Sequence, residues 1–216
     1  ITTGPKTQVF EQEFGRFLGA MSALAVASAT DAMLVGLAAL GINPGDQVIT
    51  TTMTFCSTIH IIEHLDATPV FVDVEPDTLN IDPEQVAAAV TDRTRAVMPV
   101  HLYGHPCEMD AILDIADSHD LRVLEDAAHA LPATYKGRTI GTLGDLSAFS
   151  FYATKNLTTA EGGMLTGDPE LIEEARIWSL HGMSRDAWKR YDTQGSWYYE
   201  VVRPGFKCCL LYTSPS

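Results

Sequence analysis

Three short stretches of this chain place chemically useful groups just beyond apolar runs. Lys155 follows Leu146 to Phe151, in the sequence Ser150-Phe151-Tyr152-Ala153-Thr154-Lys155-Asn156. Glu125-Asp126-Ala127-Ala128-His129 follows Leu121 to Leu124. Ser28-Ala29-Thr30-Asp31-Ala32 follows Leu24 to Ala27 and leads into an apolar helix. An amine, a carboxylate and a phosphate-sized cradle, each at the end of a buried strand, suit pyridoxal phosphate. A lysine amine forms a Schiff base with the aldehyde of that cofactor. A carboxylate keeps its pyridine nitrogen protonated, so the ring draws electrons. N–H groups at a helix N-terminus, joined by Ser and Thr hydroxyls, suit the phosphate dianion. Open α/β sheets gather ligands at the carboxyl ends of their strands. Taken singly, each group has a plainer reading. A lysine after a strand is usually a solvated surface residue, and an aspartate at a strand end is often a helix cap.

The elements that must position these groups alternate. Val9, Phe10, Phe14, Phe17 and Leu18 fit the buried face of a first helix. Strands are expected at Leu24 to Ala27, Gln47 to Thr50, Pro69 to Val74, Arg95 to Val100, Leu121 to Leu124, Leu146 to Phe151 and Gly163 to Thr166. Helices are expected at Ala32 to Leu40, closed by Gly41, and at Phe55 to Leu65, Pro83 to Val90, Met109 to Ser118 and Pro169 to Leu180. Asp82-Pro83 and Asp168-Pro169 each read as a cap followed by the first helical residue. Near-continuous apolar strands separated by helices predict an α/β fold, a mostly parallel sheet covered by helices on both faces.

Bulk properties narrow the function. The chain has 216 residues, 46% of them hydrophobic, enough for one large domain with a real core. Its formal net charge is -14, and no basic stretch of the kind that tracks nucleic acid is present. No apolar run reaches the roughly 18 residues of a membrane span, and the N-terminus does not read as a secretory signal. A cytoplasmic protein is expected. Cys56, Cys107, Cys208 and Cys209 contain no C-x-x-C pair, so neither a disulfide framework nor a zinc ribbon is implied. His60/His64 and His101/His105 have metal-compatible spacing, but only Cys107 stands near to complete a set, and no metal site is expected.

Several stretches resemble the DegT/DnrJ/EryC1/StrS family of sugar aminotransferases, which use pyridoxal phosphate on the aspartate-aminotransferase fold. They are ITTGPKTQVFEQEF, INPGDQVITTTMTF, ATPVFVDVEPDTLNID, PVHLYGHPCEMDAI, LEDAAHALPATYKGRTIGTLGDLSAFSFYATKN and EGGMLT, in that order. The resemblance implies that Lys155 is the Schiff-base lysine and the base that moves the substrate proton. It implies that Asp126 partners the pyridinium, that His129 lies near the phenolic oxygen and that Phe55 stacks on the ring, the plainer alternative for Phe55 being a core aromatic that opens its helix. Backbone N–H groups of Ala29 and Thr30, with the Thr30 and Ser150 hydroxyls, are implied to hold the phosphate. Ala29 stands where the family often has glycine.

The implied reaction passes an amino group from an amino acid such as glutamate to a nucleotide-linked keto sugar, in polysaccharide or antibiotic sugar synthesis, within a homodimer that shares its active sites. A sugar dehydratase on the same fold is the nearest rival, but such relatives replace the lysine with histidine. A non-catalytic regulatory protein is the other. Arg185, Trp188, Lys189, Arg190 and Tyr191 offer charge and aromatic faces to a nucleotide-linked sugar, or simply form an exposed loop or dimer contact. Residues 1–207 read as the cofactor-binding large domain, incomplete at both ends. Residues 208–216 read as a non-native tail in which Cys209 replaces an asparagine that relatives send to the partner's phosphate. A chain of this extent is expected to be a poor catalyst.

Overall fold

The apolar runs pair as strands, and their alternation decides which helix lies on which face. The structure is a computed structural model that describes residues 4–183 and 200–210. Among these residues a seven-stranded sheet is built from β1 (Ser22–Val26), β2 (Gln47–Thr51), β3 (Thr68–Val72), β4 (Thr94–Val97), β5 (Arg122–Asp126), β8 (Leu146–Ser150) and β9 (Gly163–Gly167). Their order across the sheet is β1-β9-β8-β5-β4-β2-β3. The pairs β2–β3, β2–β4, β4–β5 and β5–β8 are parallel, whereas β9 runs antiparallel to both β8 and β1. A two-stranded hairpin, β6 (Thr134–Tyr135) with β7 (Arg138–Thr139), stands apart and was not expected from the sequence.

Successive side chains on a strand point to opposite faces. Ala25, Ile49, Val97, Val123 and Phe149 pack on one face with α1 (Pro5–Leu18), α4 (Pro83–Ala89) and α5 (Met109–His119). Leu24, Val48, Ala96, Leu124 and Ala148 pack on the other with α2 (Ala29–Ala39), α3 (Ser57–Glu63) and α6 (Pro169–Ser179). Both faces are therefore covered, and the sheet is mostly parallel, as expected. Asp82 and Asp168 cap α4 and α6 through bonds to Glu84 and to Glu170 and Leu171 N–H. No helix among the described residues is long and apolar enough to cross a membrane.

The expected buried face of α1 requires correction. Val9 and Phe17 are 54% and 65% exposed, while Thr7, Glu11, Phe14, Gly15 and Leu18 are buried. A carboxylate faces inward because β1 ends the sheet and its outer backbone groups need partners. Glu11 Oε1 accepts from Ala25 N–H at 2.9 Å and from Arg176 at 3.2 Å, and Arg176 also donates to Ala23 O at 3.3 Å. Further along the same edge, Ala27 N–H donates to Cys208 O at 2.9 Å, and Val26 bridges to Cys209. Cys208 and Cys209 are thus buried along β1.

Removing Glu11 leaves a buried N–H without its acceptor and strips the Arg176 guanidinium of its nearest carboxylate. The expected loss for Glu11→Ala is about 3 kcal/mol, measured by urea unfolding. A loss under about 0.5 kcal/mol, the ordinary range of a surface substitution, would show that the edge does not need this cap.

Candidate active site

The carboxyl ends of β1, β2, β5 and β8 open on one side of the sheet, and the segments after these strands line a common cavity of about 390 Å³. All seven residues singled out from the sequence border it: Ala29, Thr30, Phe55, Asp126, His129, Ser150 and Lys155. A cavity of this size is in the range that holds a cofactor.

Asp126 ends β5 and is only 5% exposed. Its Oδ2 accepts from Thr58 Oγ1 at 2.7 Å, and its Oδ1 from Ala128 N–H at 3.2 Å. Its own N–H donates to Pro99 O at 2.9 Å, and its carbonyl accepts from His101 N–H at 3.1 Å. The neighbouring Glu125 points to the opposite face and is wholly buried. It accepts from Ser147 Oγ at 2.6 Å, from Gly144 N–H at 2.9 Å and from His101 Nε2 at 2.9 Å. His101 Nδ1 accepts from Cys107 N–H at 3.1 Å. That bond leaves the ring proton on Nε2, where it donates to the carboxylate. Burial alone would raise the Glu125 pKa, but the His101, Ser147 and Gly144 bonds outweigh it and hold the carboxyl below its ordinary value. His101 is thus a buried clamp between the segment after β4 and the strand that carries Asp126.

Lys155 lies beyond β8, its N–H bonded to Tyr152 O at 2.9 Å. Burial depresses its pKa, against the opposing pull of the Asp126 charge. His129 is shifted down as well, first by burial and then by the Lys155 charge, with Asp126 opposing. The imidazole stacks on Tyr103, with ring centroids 5.7 Å apart and planes at 2°. Tyr103 adopts φ 50°, and a Cβ on the adjacent Gly104 would stand 3.0 Å from His129 O, so the turn sits tightly against the histidine.

The cradle forms where β1, β8 and β9 meet. Ser28 caps α2 through Asp31 N–H at 3.0 Å. The N–H groups of Ala29 and Thr30, the first two helical residues, have no acceptor inside the helix. Gly163 pairs with both Val26 and Ser150, and a Cβ there would collide with the Ser28 carbonyl and the Ala29 nitrogen. Phe55 is 72% exposed on the opposite rim, so its reading as a core aromatic does not hold. A buried carboxylate, a lysine with a depressed pKa and a helix N-terminus at one cavity fit the donor set that pyridoxal phosphate requires.

Thr54 also lines this cavity, and Thr58, Tyr103 and Gly163 lie against Asp126, His129 and the Ser28–Ala29 peptide; the sequence reading passed over all four. Gly162-Gly163 at a strand start was the available signal for a close backbone approach. His101, weighed only as half of a metal pair, instead anchors β5. Arg185, Trp188, Lys189, Arg190 and Tyr191 lie outside the described residues.

This geometry has two measurable consequences. In the cofactor-free protein the Lys155 ammonium is disfavoured by folding, and that penalty is full below its folded pKa. It fades as pH rises through the folded pKa and is gone only above the ordinary lysine value of 10.5, where both states are neutral. Lys155→Met is therefore expected to raise the melting temperature near neutral pH, by a margin that shrinks toward pH 10.5. A margin that is constant or grows over this range would contradict the burial of the amine. Gly163→Ala is expected to weaken pyridoxal phosphate binding by about tenfold or more through displacement of the cradle, while pyridoxal, which lacks the phosphate, loses less. Equal losses for the two ligands in equilibrium titrations would place Gly163 away from the phosphate.

Comparison with known proteins agrees with this fold. The profile of the DegT/DnrJ/EryC1/StrS aminotransferase family matches residues 1–210. The spore coat polysaccharide biosynthesis protein SpsC of Bacillus subtilis is 59% identical over 208 residues, 96% of this chain and 54% of SpsC. The sugar aminotransferase Spr1654 of Streptococcus pneumoniae in its PMP form superposes with a TM-score of 0.88 at 36% identity, over 96% of this chain and 57% of that one. The same protein in its PLP form gives a TM-score of 0.86. DesI, crystallised in the presence of its TDP-sugar product, gives 0.83 at 38% identity, over 96% of this chain and 50% of that one. The chain spans about half the length of the relatives it matches. With a matching profile over nearly all of its residues, this chain belongs to the DegT/DnrJ/EryC1/StrS aminotransferase family.

Proposed function

We propose that residues 1–207 form the cofactor-binding large domain of a pyridoxal-phosphate-dependent sugar aminotransferase. It transfers an amino group from an amino acid such as glutamate to a nucleotide-linked keto sugar. The observation that carries this reading is the convergence of Lys155, Asp126, His129 and the α2 cradle on one cavity at the carboxyl edge of the sheet. The polysaccharide role named for SpsC and the TDP-sugar product of DesI support the sugar substrate and its nucleotide. We place the protein in the cytoplasm as a homodimer with shared active sites.

When bound, the cofactor supplies an aldehyde that condenses with amines and a ring that draws electrons from the adjoining carbon. The N–H groups of Ala29 and Thr30, with the Thr30 and Ser150 hydroxyls, hold the phosphate. The Asp126 carboxylate, kept in place by Thr58 and Ala128, holds a proton on the ring nitrogen. Phe55 covers one face of the ring and excludes water. His129, stacked on Tyr103, donates to the phenolic oxygen. Burial keeps the Lys155 amine closer to its neutral form, and as a free base Nζ moves the proton on the substrate carbon that bears nitrogen.

The test is covalent trapping. Borohydride treatment of the pyridoxal-phosphate-loaded protein is expected to leave the reduced adduct on Lys155, and Lys155→Ala to abolish both the adduct and amino transfer. Peptide mass spectrometry that places the adduct on Lys6 or Lys136 would overturn the assignment.

A further inference from the structure

Two threonine hydroxyls below the cavity have no part in the assignments above except through Asp126. Thr58 lies in the first turn of α3 and is wholly buried. Its hydroxyl donates to Asp126 Oδ2 at 2.7 Å, and Thr54 Oγ1 lies 2.7 Å from Thr58 Oγ1. Distance alone leaves the donor of the second bond open, but the proton count settles it. A threonine hydroxyl has one proton and two acceptor lone pairs. The Thr58 proton is committed to the carboxylate, so Thr54 donates to Thr58. The result is a directed chain, Thr54 to Thr58 to Asp126. It ends on a charge, where hydrogen bonds are strongest and polarise one another.

A buried threonine needs no such partner. Thr50, equally buried on the neighbouring β2, donates to Met98 O at 2.9 Å. Thr58 instead reaches across from α3 to the side chain at the end of β5. At that end, Thr58 and Ala128 each take one carboxylate oxygen, while Pro99 and His101 hold the main chain. The carboxylate therefore presents one orientation to the cavity. At the other end, Thr54 immediately precedes Phe55, whose ring is exposed on the rim. The segment between β2 and α3 is otherwise tied down by Met53 N–H on Thr51 Oγ1 at 3.1 Å, by Phe55 O accepting from Thr58 N–H at 3.1 Å and by Cys56 O accepting from Ile59 and His60 N–H at 3.1 and 2.9 Å. It hangs on its two flanking elements and on the relay.

We propose that Thr58 and Thr54 are positioning residues. Their hydroxyl relay aims the Asp126 carboxylate into the cavity and couples the placement of Phe55 to the negative charge of that acid. The proposal rests on the roles assigned above to Asp126 and Phe55, and extends them. Its consequence is that the β2–α3 segment and the acid form one unit. Loss of the central hydroxyl breaks both bonds, and loss of the charge breaks one and weakens the other.

Amide hydrogen exchange of Met53, Thr58, Ile59 and His60, whose N–H groups donate to Thr51, Phe55 and Cys56, tests this in the cofactor-free protein without any need for catalysis. Thr58→Val is expected to speed exchange there by about tenfold, and Thr58→Ser to restore protection, since a net hydrogen bond to a charge is worth about that factor. Asp126→Ala should speed it less, because the Thr54–Thr58 bond survives, and the double variant should be no faster than Thr58→Val, while amides of β5 and β8 hold their protection. For pyridoxal phosphate, Thr58→Val is expected to raise the dissociation constant by about tenfold, and Thr58→Ser to stay within about threefold of the parent. Equal behaviour of valine and serine, or effects of Thr58→Val and Asp126→Ala that multiply in the double variant, would overturn the relay. If the β5 amides lose protection in Thr58→Val, Thr54→Val probes the same chain from its outer end. Unchanged exchange in that variant would overturn the relay equally. Failure of the parent to bind pyridoxal phosphate would instead sink the functional reading, and the exchange comparison would still decide the relay.

Discussion

A carboxylate that folding removes almost wholly from water must find donors, and at Asp126 that requirement organises the site. An ionised side chain 5% exposed is tolerated only when hydrogen-bonded or paired. The donors come from two places, the first turn of α3 and the turn just after β5. The main chain of the same residue bonds the segment after β4 on both sides. Satisfying one acid therefore brings together segments widely separated in sequence, and the cavity is the space they leave. Glu125 extends the constraint through the strand. It is buried on the other face, and its donors are His101, Ser147 and Gly144. The two consecutive acids pin β5 to β8 and to the segment after β4 from opposite sides of the sheet.

The second constraint is steric. β9 runs against its neighbours, so its first residues lie at the edge where the parallel strands end. Glycine at 163 lets the backbone of β9 pass directly beside the Ser28–Ala29 peptide. A side chain there would push the cap of α2 outward and away from Ser150. The cradle is thus shaped by a strand that contributes no side chain to it. The cap of α2 is shaped by its own sequence, with Ser28 bonded both to Asp31 N–H and to the Asp31 carboxylate.

Much of this was legible in the sequence because it obeys local rules. All seven strands of the sheet announce themselves as apolar runs, and Asp-Pro pairs mark where α4 and α6 start. That seven candidate residues border one cavity was legible through motif order together with placement after strands, since both the α/β arrangement and the chemistry put ligands at strand ends. The features that stayed hidden depend on partners far away in sequence. Glu11 reads as a surface residue until β1 presents its outer N–H, and the apolar Val9 and Phe17 are displaced from the core for that reason. Thr58 carries no local signal at all, because its significance lies in an acid 68 positions further along. His101 carried a misleading one. Its spacing to His105 suggested a ligand pair, whereas its ring nitrogens are both occupied by protein.

The electrostatics of the cavity arise from the same burial that shapes it. Lys155 and His129 sit close enough for each to feel Asp126, and His129 to feel Lys155. In open solvent a carboxylate so near would favour both cations. Here loss of water is the larger influence on each, and both pKa values move down rather than up. One acid cannot serve as full counter-ion to two bases while its own oxygens are engaged by Thr58 and Ala128. The cavity consequently sets one carboxylate beside two nitrogen bases that loss of water shifts toward their neutral forms. On the function proposed above, that shift would leave Asp126 available to the positive charge of a bound pyridinium.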